Sequence, residues 1–140
     1  MTKIHFRILI MLRVAFVAAG IAVAFVPDMY SPALAFAYSN EPEPWIITSQ
    51  WLSLATLVPL TLLTILAIVG LFFFKHWGRA LSLYGTIAIT LLSASFGPSV
   101  ESAIESALLD VSILLWGAIL ALAYYSPVSS MFGNNPHNWR

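Results

Sequence analysis

A chain of 140 residues fits a single domain, 1–140. Hydrophobic side chains make up 60% of it and charged ones only 9%, against roughly 25% in soluble domains, so a water-soluble globule is excluded and a membrane protein is expected. Six basic residues balance six acidic ones, which leaves no basic surplus for nucleic acid, and the absence of cysteine removes disulfides, thiol redox chemistry and thiolate metal sites.

A membrane crossing needs about 20 mostly apolar residues for about 30 Å of hydrocarbon, and backbone polar groups in lipid must be satisfied within the segment, so spans are helices. The first reads over about 8–26 and ends at Pro27, which cannot donate the next helical hydrogen bond. Its first residues also have features of a secretory signal: a basic start, about 13 apolar residues after Arg13, and A-x-A sites at Ala33/Ala35 and Ala35/Ala37. The long interval to those sites, with Pro27 inside it, favours a retained span; cleavage would leave three spans and unchanged sidedness. A longer loop follows, in which "EPEP" should be stiff and extended.

The second span, about 46–74, exceeds one crossing and contains Pro59, so tilt and a kink are expected. Only "KHWGR" separates it from the third, about 80–96, which makes those two helices antiparallel neighbours. "GPSVES" then leads into the fourth, about 104–125, with Gly97-Pro98-Ser99 suited to a helix start and Ser126-Pro127 to a stop. The tail "GNNPHNWR" is short and polar.

With four spans, Lys3, Arg7, Arg13, Lys75, Arg79 and Arg140 fall on one side, with His5, His76 and His137; Asp28, Glu41, Glu43, Glu101, Glu105 and Asp110 fall on the other. Basic residues at span ends mark the cytoplasmic face, so both termini and the "KHWGR" turn belong inside. Tyr30, Tyr38, Trp45, Trp51, Trp77, Tyr124 and Tyr125 cluster at span ends, as an aromatic belt would. The expected fold is all-α: an integral membrane antiparallel four-helix bundle with both termini cytoplasmic.

Half of the acids lie between Glu101 and Asp110. Glu101 and Glu105, four apart, would share a face near the positive end of a helix dipole. They read either as capping charges among wet headgroups or as an outward acidic patch for a cation or a basic partner. With the hydrocarbon beginning near Ile104, Asp110 lies about 9 Å below that boundary, on a face with Ala103, Ser106, Gly117 and Ala121. An intramembrane carboxylate is a functional-site hypothesis by default, and small residues allow close helix approach, so this face should meet protein. Possible partners are Ser82, Gly85, Thr86 and Ser93 on span 3 and Gln50, Ser53 and Thr56 on span 2, whose hydroxyls and amides could bond across helices; packing alone explains the same stripes. Arg13 lies inside the inner leaflet edge and is expected to snorkel to headgroups, or else to pair with an anionic lipid or a subunit.

No histidine lies within a span, no G-x-S-x-G or phosphate-cradling glycine loop occurs, and the acids are too scattered to hold magnesium, so no catalytic residue, metal site or cofactor is assigned and the chain is read as non-enzymatic. Arg79 opening a span, "GPSVES", "LLWGAILALAYYSP" and a phenylalanine near the tail make about the last 60 residues resemble uncharacterised small four-span inner-membrane proteins of Gram-negative bacteria. That resemblance implies a multi-pass bacterial inner-membrane location and brings no activity.

The leading functional reading is a helical binding module with an acidic outer face. It would be an accessory or assembly subunit or an immunity-type protector, its partners being the lipid bilayer and another membrane or periplasmic protein, or a second copy. The rival is a small oligomeric transporter or channel using Asp110 as a cation or proton site. Asp110 in a water-filled cavity would favour transport; a dry helix contact would favour the module.

Overall fold

The structure, a computed structural model, describes residues 2–26, 36, 39–40, 50–93 and 101–132. Its main elements are helices α1 (Lys3–Ala24), α2 (Gln50–Phe72), α3 (His76–Ser93) and α4 (Ala103–Tyr125), then a 3-10 turn (Pro127–Phe132); there is no strand among the described residues. Among the described residues, three stretches are long and apolar enough to cross a membrane: Lys3–Ala24, Leu54–Phe72 and Ala103–Tyr125. Helix α3, 18 residues as described, is the more polar one, with His76 and Arg79 in its first turn. The loop carrying Asp28, Glu41 and Glu43, the Gly97-Pro98-Ser99 start, and the tail with His137 and Arg140 lie outside the described residues, as do Tyr30, Tyr38 and Trp45.

Helix α1 packs along α4 and α2 along α3; the pairs touch each other through α3 and α4 and, more sparingly, through α1 and α2. The first pair has a recognisable seam. Phe6, Ile10 and Gly20 are buried and Arg13 and Val17 half-buried on α1, opposite buried Ser112, Trp116, Ile119 and Ala123 on α4. Both runs alternate steps of four and three residues, the spacing that keeps one narrow stripe of a helix against its neighbour. Gly20 fits beneath Leu109 near the acidic end; an added Cβ there would lie 3.1 Å from the leucine.

The second pair is tighter. A Cβ on Gly78 would stand 2.4 Å from the Gly70 carbonyl carbon, and one on Gly70 would stand 2.6 Å from the Gly78 Cα, so these helices cross backbone to backbone. The turn between them is a Schellman cap: Lys75 N–H donates to the Gly70 carbonyl at 2.8 Å and Phe74 N–H to that of Leu71 at 3.1 Å. Its left-handed position is held by Phe74, at φ 54°, instead of the usual glycine, at a cost of about 1–2 kcal/mol. The Phe74 ring offsets that strain by packing 5.6 Å from Phe6 and 5.2 Å from Phe132, centroid to centroid. Around this trio gathers the core: Phe6, Ile10, Leu71, Trp116, Ile119, Ala123, Val128 and Phe132. All of it belongs to the half of the molecule where α1 and α3 begin and α2 and α4 end.

Helix α2 runs on through Pro59. The hydroxyls of Thr56, Thr61 and Thr64 each donate to the carbonyl four residues back, at 2.8, 2.8 and 2.9 Å. Trp51 and Tyr125, near helix ends, are 82% and 93% exposed, as an interfacial belt requires.

Candidate functional site

The described charges separate to opposite ends of the helices. At the basic end, where no carboxylate of the described residues is at hand, aromatic rings and helix-terminal carbonyls receive the cations. Arg7 Nε donates to the carbonyl of Phe72, the last residue of α2, at 3.3 Å, and its guanidinium lies 4.9 Å from the Phe72 ring. Arg79 donates to the carbonyls of Ala123 near the end of α4 (3.3 Å) and Ser129 in the 3-10 turn (3.4 Å), with the rings of Phe132 and Tyr124 at 5.2 and 5.5 Å. Both arginines meet the negative end of a helix dipole.

Arg13 is the exception. It occupies the buried seam of α1, so it turns inward instead of snorkelling, and its guanidinium lies 4.0 Å over the Trp116 ring. Its Nε is buried without a hydrogen-bond partner. A cation over an indole face in a desolvated setting gains about 2 kcal/mol, which accounts for the inward choice. Beside the stack, Trp116 Nε1–H donates to Thr86 Oγ1 at 2.7 Å, Thr86 O–H to the Ser82 carbonyl at 2.6 Å, and Ser82 O–H to the Arg79 carbonyl at 2.8 Å. A cavity of about 30 Å³ lies among Arg13, Ser82, Gly85, Thr86, Trp116 and Thr64. That is room for about one water molecule.

Arg13, Ser82, Gly85 and Thr86 are thus brought together, and the packing reading of the α3 stripe describes most of what is seen: the Ser82 and Ser93 hydroxyls bond back within their own helix, Ser93 to the Thr90 carbonyl at 2.7 Å, and only Thr86 takes a bond across helices. Ser93 is exposed and apart from this cluster. The side chains of Gln50 and Ser53 lie outside the described set. Trp116, the hub, was not anticipated, although an indole N–H within "LLWGA" needs an acceptor when buried.

The acidic residues are not gathered. Helix α4 is capped by Ser102, whose Oγ accepts from Glu105 N–H at 3.2 Å while Glu105 Oε2 accepts from Ser102 N–H at 3.4 Å. This capping box gives Glu105 a structural role. Glu101 precedes the cap, so the expected shared helical face with Glu105 does not form, and its side chain is exposed.

Asp110 is exposed too, and none of the described helices covers its face. The inward side of α4 is taken by Ser112 and Trp116, and Asp110 lies roughly 160° round the helix from Ser112. Ala103, Gly117 and Ala121 are exposed with it, Ser106 is half-buried, and a Cβ on Gly117 would meet nothing within 4 Å. The expectation that small residues mark the contact with a neighbouring span is corrected within this chain: the large indole with a bonding partner sets the rotation of α4.

No protein-family model matches this sequence, and no curated protein or solved structure is significantly similar to it. The membrane-length apolar helices define an all-helical membrane protein.

Proposed function

We propose that the chain is a non-enzymatic four-span module of a bacterial inner membrane, an antiparallel bundle with both termini and the α2–α3 turn in the cytoplasm, that binds another membrane or periplasmic protein or a second copy through the exposed face of α4 that carries Asp110. One observation carries this reading: Asp110 stands on an uncovered face of α4 with Ile113, Leu114, Gly117 and Ala121. Ionised carboxylates cost about 2.5–3.5 kcal/mol at the middle of an inserted helix, and a second polypeptide supplies the polar partner that lipid tails lack. Gly117 and Ala121 let that partner's backbone come close. Among the described residues, Asp110 lines none of the cavities at Arg13, Lys3 and Ile4, so the transport reading receives no comparable support.

The absence of native cysteine makes the test clean. Single cysteines at Gly117 and Ala121, cross-linked in native membranes, should yield a discrete adduct, whereas Ile65→Cys on the exposed side of α2 should not. Partner capture should survive Asp110→Asn and weaken with added salt and in Glu101→Gln/Glu105→Gln, because exposed charges are screened over about 10 Å at 0.1 M. Cation-dependent flux through purified protein in proteoliposomes, abolished by Asp110→Asn, would replace this reading with the transport one.

A further inference from the structure

The basic end holds a second feature, independent of the α4 face. Lys3, Arg7, Lys75 and His76 line a cavity of about 480 Å³ whose apolar wall includes Phe73 and Phe74. None of its described lining residues is acidic. Lys3 and Lys75 are exposed, and Arg7 is half-buried with Nε committed to the Phe72 carbonyl, which leaves the outer edge of its guanidinium as a donor. Three cations from α1 and the α2–α3 turn therefore converge on one opening.

Arg7 also forms the rim of a different hollow. Ile4, Ile8, Met11, Leu12 and Ala15 of α1, with Phe72 of α2, enclose a groove of about 580 Å³. The α1 positions recur every three or four residues, so they form one stripe about 16 Å long. This stripe is distinct from the seam that α1 presents to α4. A polar cavity with positive charge and a shallow apolar trough thus adjoin at Arg7, which lines both.

We infer that the two hollows form one binding site for an anionic phospholipid, with the phosphodiester among Lys3, Arg7 and Lys75 and an acyl chain along Ile4–Ala15. The charges alone would suit any phosphate. The apolar groove that shares Arg7 with the cavity suits an amphiphile, and in a membrane protein the anionic amphiphile at hand is the lipid itself. Basic pockets between spans on the cytoplasmic side have this preference on electrostatic grounds. The site lies at the opposite end from Glu101 and needs no partner protein, so it stands or falls apart from the α4 reading.

The test uses the full chain reconstituted in nanodiscs of equal parts phosphatidylcholine and phosphatidylglycerol, with retained lipid counted by native mass spectrometry. The wild type should retain phosphatidylglycerol in preference. Lys3→Gln/Lys75→Gln should reduce that preference about 25-fold, or about fivefold per lysine, corresponding to about 1 kcal/mol for each basic residue at a membrane surface. Ala15→Trp leaves every charge in place and fills the groove; it should also lower retention. Equal retention of both lipids by the wild type would overturn the site. So would a Lys3→Gln/Lys75→Gln protein that keeps its preference, or an Ala15→Trp protein indistinguishable from wild type, since bare surface charge would then suffice. Displacement of the lipid by millimolar inorganic phosphate would assign the cavity to free phosphate and defeat the lipid assignment.

Discussion

The two ends of this molecule solve opposite problems. The basic end concentrates its cations without a neighbouring carboxylate and is closely packed: Phe6, Phe74 and Phe132 interlock, and Arg7 and Arg79 tie α1 to α2 and α3 to α4 through carbonyls at helix ends. At the acidic end the described residues supply a capping box within α4, while Leu91 on α3 is 72% exposed and Leu114 on α4 is 74% exposed. Unpaired cations can be accommodated by π faces and dipoles, which organise the structure around them. Of the described carboxylates, Glu105 is taken up by the helix N-terminus, while Glu101 and Asp110 are left at the surface, where a partner can reach them.

The sharpest way to break this contrast is at the α2–α3 crossing. Gly78→Val places side-chain atoms into the Gly70 backbone, and folded protein should be lost from detergent extracts, a penalty at or above the usual overpacking range of about 1–3 kcal/mol. Gly85→Ala is its internal control: its Cβ meets only the tip of Leu63, a flexible side chain that can move aside, so accumulation should persist. Next in size is the hub. Trp116→Ala should cost about 3 kcal/mol in reversible unfolding, whereas Trp116→Phe keeps a ring under Arg13, loses the bond to Thr86, and should cost about 1 kcal/mol. Equal losses in the two variants would mean that the stack, and not the hydrogen bond, is the replaceable part.

Smaller effects should be local. Arg79→Lys retains charge but loses the forked donor geometry that serves Ala123 and Ser129, so amide exchange should quicken through Pro127–Phe132 with a loss of about 1 kcal/mol. Ser102→Ala should cost a similar amount, about 1 kcal/mol, yet its faster exchange should be confined to the first turn of α4. Smallest of all, Glu101→Gln should change stability by less than about 0.5 kcal/mol, since it touches no packing; a larger change would place Glu101 in a structural contact and remove it from the binding surface.

Much of this was open to reading. The all-helical membrane character follows from apolar runs punctuated by Pro27, Gly97-Pro98 and Ser126-Pro127, and the fourth run, about 104–125, matches α4 within a residue. The charge separation was legible from Lys3, Arg7, Lys75 and Arg79 against Glu101 and Glu105. Helix rotation was not. In a helix such as α4, apolar on nearly every side, periodicity does not single out an inward face, and small residues were taken to define it; the bond from Trp116 to Thr86 defines it instead. For α1 the signal existed. Phe6, Ile10, Arg13, Val17 and Gly20 follow the alternating four-three rhythm, which would have placed Arg13 inside. The aromatic trio depends on Phe74 adopting a backbone conformation that a phenylalanine seldom takes, and no local preference announces that.

The pairing of α1 with α4 has a consequence in time. The first helix leaves the ribosome about 80 residues ahead of its partner, which at 5–20 residues per second is a wait of roughly 4–16 s. Throughout that interval Arg13 has no Trp116 to cover it, while α2 and α3 can already close on each other. A newly inserted α1 must therefore hold its arginine at the headgroups and surrender that position only when α4 arrives. Chains interrupted before Trp116 would keep the arginine outward, so an unfinished chain would differ from a finished one in where the charge of α1 stands.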